Sequence, residues 1–176
     1  GTTSSDDIVI IDNLGLGLNL TGYPPFSGKL SNVAIFNTAL PATGTESVES
    51  LYNYGTPPNI ASYSGLQGWW ELDASATFDG SNWSIPDASS NSNTGTSSGM
   101  TAANLVQSDL IINAPFDSFA LDFDGSNDYI QIPYNANLTP QTGNFTISAW
   151  INTDNLSGWH PIWSTLNLDS SVAAVA

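Results

Sequence analysis

The stretch Phe119-Ala-Leu-Asp-Phe-Asp-Gly-Ser-Asn-Asp-Tyr-Ile-Gln-Ile-Pro133, followed by Asn144-Phe-Thr-Ile-Ser-Ala-Trp-Ile151, decides how this chain folds. Phe119, Leu121 and Phe123 alternate with Ala120, Asp122 and Asp124. That period of two marks a strand with one face in a core. Asp124-Gly-Ser-Asn127 has the residues of a tight turn, and Ile130 and Ile132 start a second alternating strand. Phe145, Ile147, Ala149 and Ile151 form a third alternation, which sends Trp150 to the opposite sheet face.

Working outward, short strands are expected at Asp7 to Ile11, Gly28 to Phe36, Gln67 to Asp73 and near Pro161 to Ser164. Gly15, Gly17 and Gly22, with Pro24-Pro25, read as a loop. Ser75 to Met100 reads as a long polar loop with one short strand around Trp83. One helix is expected over Thr43 to Tyr54, capped by Thr43 or Thr45 and ended by Gly55. Many strands, many turns and one modest helix predict an all-β fold, an antiparallel β-sandwich with one short helix.

The chain has 176 residues and is 40% hydrophobic, enough to build a core. Sixteen acidic residues face a single basic one, Lys29, for a formal net charge of −15. Phosphate backbones are gripped by several Lys or Arg, so nucleic acid is not an expected partner. Attraction to anionic lipid fails for the same reason. No apolar run approaches the ~18 residues of a membrane span, so membrane insertion is not expected. The absence of cysteine excludes disulfides and thiol chemistry. The polar start, Gly1 to Asp7, lacks Met and a signal-like apolar run. The chain is therefore expected to begin inside a longer or processed polypeptide.

Four segments together resemble the laminin-G-like, concanavalin-A-like family. Gly68-Trp-Trp-Glu-Leu-Asp73 is similar to its first strand. Pro86-Asp-Ala-Ser-Ser-Asn-Ser-Asn-Thr-Gly95 is similar to its Asp-Ser-Ser-Gly-Asn-x-Asn-x-Gly loop, with Ser90 in place of the usual glycine. Phe119 to Ile151 carries its most recognisable strands. Phe26-Ser-Gly-Lys-Leu-Ser-Asn-Val-Ala-Ile-Phe-Asn-Thr-Ala-Leu40, with Leu51-Tyr-Asn-Tyr-Gly55, is similar to its closing strand and ending. The resemblance implies a jelly-roll topology and a glycan-binding or surface role. The family's ending, however, precedes its beginning here. The expected arrangement is a slice of a tandem array: residues 1–60 end one domain, 61–65 link, and 66–176 begin the next. The alternative is one circularly permuted or strand-exchanged sandwich over 1–176.

Two acidic clusters are candidate calcium ligands. Asp122, Asp124, Asn127 and Asp128 surround one turn, and Asp87 and Asn91 lie in the family-like loop. Calcium takes oxygen ligands from carboxylates, amides and carbonyls. The competing reading is that such residues satisfy their own backbone turns. Trp159, Trp83 and Asn155 are the candidate carbohydrate contacts, because an indole face stacks on a sugar ring and an amide reads its hydroxyls. Trp69, Trp70 and Trp150 are expected to pack instead. His160 is the only histidine, and no nucleophile elbow accompanies it. Glycoside hydrolysis would need two acids roughly 5–9.5 Å apart, and Glu46, Glu49 and Glu71 do not form the expected strand motif.

These readings point to a non-catalytic, lectin-like module of an extracellular, cell-surface or virion-surface protein. Its expected partners are glycans and neighbouring copies of the same or tandem domains. A purely structural spacer in a fibre or capsid decoration is the rival. A glycoside hydrolase accessory domain is a third reading.

Overall fold

The computed structural model describes residues 13–18, 23–109, 119–138 and 143–166. The strands are β1 (Asn13–Leu16), β2 (Ser27–Phe36), β3 (Leu66–Trp70), β4 (Thr77–Phe78), β5 (Trp83–Ile85) and β6 (Gly95–Ser98). β7 (Leu105–Gln107), β8 (Phe119–Asp124), β9 (Tyr129–Pro133), β10 (Thr146–Thr153) and β11 (Trp163–Leu166) follow. A single short α-helix, α1, spans Val48–Tyr52.

These strands build two sheets, in the orders β11-β1-β9-β6-β5-β4 and β10-β2-β8-β7, with β3 added beside β2. Every strand pairing is antiparallel. The main core lies between the sheets. Leu14, Leu16, Ile85, Ile130 and Ile132 enter it from one side, and Leu30, Val33, Ile35, Leu121 and Phe123 from the other. The predicted all-β fold with one short helix is therefore the observed one.

Strands from both sides of residues 61–65 share each sheet. β1 lies between β9 and β11, and β2 lies between β10 and β8. The 61–65 stretch itself is turned tightly, with Tyr63 N–H donating to Ile60 O and Leu66 N–H to Tyr63 O.

Four expectations are corrected, each for a local reason. Gly15 lies in β1 and not in a loop. Gly17, just after β1, is needed for contact: a Cβ there would sit 2.5 Å from the Phe123 ring. The Ser75 to Met100 region contains three strands, β4, β5 and β6, because Ser and Thr fit the polar face of a half-buried ladder. β7 was not foreseen at all. The helix starts late because Ser47, not Thr43 or Thr45, caps it, in a reciprocal box with Ser50. It also ends early, at Asn53 in a left-handed conformation. The Asp7 to Ile11 strand lies outside the described residues, as does the tail after Leu166.

A second, smaller core forms on the outer face of β2. Ala34 and Phe36 are covered there by Leu51 of α1, Ile60, Leu66 and Trp69. Lys29 and Ser31, on the same face, are not in that cluster. The two halves are separated by a bulge, where Ser31 and Ala34 pair with Trp150 and Ser148, setting two residues of β2 against one of β10. Asn32 sits in the bulge with a φ of 48°, a left-handed conformation that Asn tolerates better than most residues.

Candidate functional site

The uncovered half of that face forms a groove across β10, β2 and β8. Register places Asn152, Lys29 and Asp122 side by side, and then Trp150 beside Ser31 one step along. Ala120 continues the second row on β8, and Ser108 and Asp109, just past β7, border the far side. The groove encloses about 220 Å³. Pockets for drug-sized ligands run roughly 300–1,000 Å³, so this groove is a small one.

Two features give it chemical character. Trp150 forms an aromatic wall, and Tyr52 of α1 stacks on it with a centroid separation of 6.0 Å and an interplanar angle of 16°. The stack fixes the indole plane before any ligand arrives, which lowers the ordering cost of binding. Opposite stands a polar cluster. Lys29 Nζ donates to Asp109 Oδ2 at 2.7 Å, and Asn152 Nδ2 donates to the same oxygen at 2.7 Å. The Lys29 hydrogen bond, with Asn152 second, holds the Asp109 carboxyl below its ordinary pKa. Burial, then the neighbouring Asp154 charge, pushes Asp122 up, while Lys29 opposes the rise.

The sequence-derived candidates lie elsewhere. Trp83 is corrected outright. It is 6% exposed, packs in the main core against Phe78, and donates its Nε1–H to Thr101 O at 2.8 Å. Trp159 is 76% exposed, in the loop between β10 and β11. Asn155 is in the same loop, but its side-chain oxygen accepts from Ser157 N–H at 2.8 Å and Ser157 Oγ at 2.7 Å, closing a local turn. Neither residue lines the groove.

Four of the six candidate calcium ligands, Asp124, Asp128, Asp87 and Asn91, hold backbone groups. Asp128 is buried, and its Oδ2 accepts from Asp124 N–H at 3.0 Å and Asn104 Nδ2 at 2.9 Å. Asp124 Oδ1 accepts from Ser126 N–H at 2.7 Å, the expected turn contact. Asn127 is exposed on that turn, and Asp122 is on the groove side of β8. In the other loop, Asp87 accepts three backbone N–H groups, while Asn91 Nδ2 donates to Gln67 O at 3.0 Å. Among the described residues no three Asp, Glu, His or Cys side chains converge on one point. Chelation or calcium addition is accordingly expected to leave the melting temperature unchanged, read by differential scanning fluorimetry. A rise of several degrees with calcium would place a cation in one of these turns.

Glu71, which follows Trp69 and Trp70 in sequence, has its pKa raised by burial and then by Asp73. The groove residues Lys29, Asp109, Asn152 and Tyr52 were not singled out from sequence as a site. They sit up to 123 positions apart in the chain: the register of β10 on β2 joins Asn152 to Lys29, β7 and β8 bring Asp109 alongside, and α1 supplies Tyr52. The one available signal was Trp150, whose alternation already turned it away from the core. Among the described residues no helix is long and apolar enough to cross a membrane. Comparison with family models, curated proteins and solved structures finds no match to this chain.

Proposed function

We propose that this chain is a non-catalytic saccharide-binding module of an extracellular, cell-surface or virion-surface protein, and that it binds through the outer groove of the five-stranded sheet. The observation that carries this reading is Trp150, stacked on Tyr52 and lining the same groove as the Lys29, Asp109 and Asn152 cluster. An aromatic plane beside clustered hydrogen-bonding groups matches a pyranose, which is apolar on its C–H face and polar at its rim. The reading moves the sugar from the Trp159 loop to the sheet. Its fold counterpart is a laminin-G-like jelly roll in permuted order. Support comes from β2, which occupies the middle of a sheet built otherwise from later strands.

The test is an oligosaccharide array, followed by calorimetric titration of the best binder. Trp150→Ala is expected to weaken binding about tenfold or more, since a stacked ring contributes more than its buried area alone. Tyr52→Ala is expected to weaken it less. Both variants keep a near-native melting temperature, because Trp150 lies outside the main core. Unchanged binding by Trp150→Ala, with loss in Trp159→Ala, would return the site to the loop.

One observation favours the spacer reading. β10 pairs with β2 on one side, and among the described residues its other edge has no partner. Such an edge can accept a strand from a neighbouring copy. That reading predicts no saccharide binding by the array and concentration-dependent association by sedimentation.

A further inference from the structure

We propose that the groove selects saccharides carrying a free amine; this rests on the saccharide reading above and names its ligand class. Lys29 is the only lysine or arginine in the whole chain. Its Nζ is already hydrogen-bonded to Asp109 at 2.7 Å, so its charge is matched within the protein. Asp122 stands directly opposite Lys29 on β8. Among the described residues, no donor is hydrogen-bonded to the Asp122 carboxylate. Asp154, Asp109 and Asp124 act on it electrostatically with one sign, and Lys29 alone acts against them.

The consequence for a ligand depends on its charge. A carboxylated or sulfated sugar meets several acids and one spent cation, which repels it. A neutral sugar stacks on Trp150 but leaves the Asp122 oxygens to water. An amine-bearing sugar puts an ammonium beside those oxygens and gains a charge-assisted hydrogen bond. The chain's net charge of −15 adds a long-range pull of the same sign.

The test compares three short oligosaccharides by calorimetric titration at low salt: one of glucosamine, its N-acetylated counterpart, and one of glucuronic acid. The glucosamine oligosaccharide is expected to bind about tenfold tighter than the acetylated one, and the uronate not to bind. Asp122→Asn is expected to close that gap by weakening binding of the glucosamine oligosaccharide. Asp79→Asn removes the same charge at the β4–β5 turn of the other sheet, and is expected to leave the gap intact. Equal binding of the amine and acetylated ligands, tighter binding of the uronate, or an Asp79→Asn variant that closes the gap as well would overturn the inference. If the acetylated ligand binds through Trp150 with no amine preference, the saccharide reading stands and only the selectivity falls. If none of the three binds, both fall.

Discussion

Asp87→Ala is expected to destabilise the fold by about 3 kcal/mol, which for a chain of this size lowers the melting temperature by roughly 10 °C. The Asp87 carboxylate is the hub of the loop after β5. Oδ1 accepts from Trp69 N–H at 2.9 Å and Ser89 N–H at 2.9 Å, and Oδ2 from Asn93 N–H at 2.8 Å. Asn93 is buried, and its carbonyl in turn accepts the Nε1–H of Trp70, a fully buried side chain, at 2.8 Å. Its side chain bonds Gln67 O and Asn135. Removing the carboxylate leaves donors in and near the core without acceptors, which costs more than the net value of the lost bonds. Denaturation in the presence and absence of a chelator separates this role from a metal site. A loss of equal size in both conditions supports the hydrogen-bond role. A loss seen only when calcium is present would make Asp87 a ligand.

The second large effect is expected at Gly28→Ala. Gly28 has a φ of 126°, a conformation that a side chain disfavours. An added Cβ would also overlap Asn152 O and lie 2.8 Å from Thr153 Cα, both backbone atoms of the paired strand β10. Neither can yield as a flexible side chain would, so β10 must move away from β2. Strain and overpacking together are expected to cost about 3–5 kcal/mol. Because Asn152 lines the groove, the β10 side of the groove is expected to loosen as well. Chemical denaturation gives the first effect, and amide exchange along β10 gives the second. Native stability with native exchange in β10 would show that the strand pair tolerates the side chain.

The sequence was most legible where a long alternation met a core. β2, β8, β9 and β10 each carry several apolar residues at period two, and each appears near its expected bounds. β1 was obscured because Leu14-Gly-Leu-Gly17 resembles a loop, although the glycines allow neighbouring side chains to approach. β4 to β7 are too short, at two to four residues, for periodicity to register. Trp83 looked like a platform because its surroundings are polar in sequence. In space Phe78 and the core enclose it. The acids of the two turns were visible, but composition does not reveal which carboxylates are already filled by backbone N–H groups. The groove was least legible: no local pattern announces that Lys29 and Asn152 will be cross-strand neighbours.

The position of β2 also sets the timetable of folding. This ten-residue strand is made early, yet β8 and β10, which flank it, lie about a hundred residues further along the chain. A chain emerging from the ribosome can pair Val33 and Ile35 with β3 soon after they are made, but Leu30 waits for Leu121 of β8, and the other edge of β2 waits for Thr146–Thr153. Closure across so long a stretch is entropically slow, and the edge of β2 that β10 will cover is a template for aggregation while it waits. The same strand that organises the finished groove is thus the chain's point of greatest exposure during synthesis.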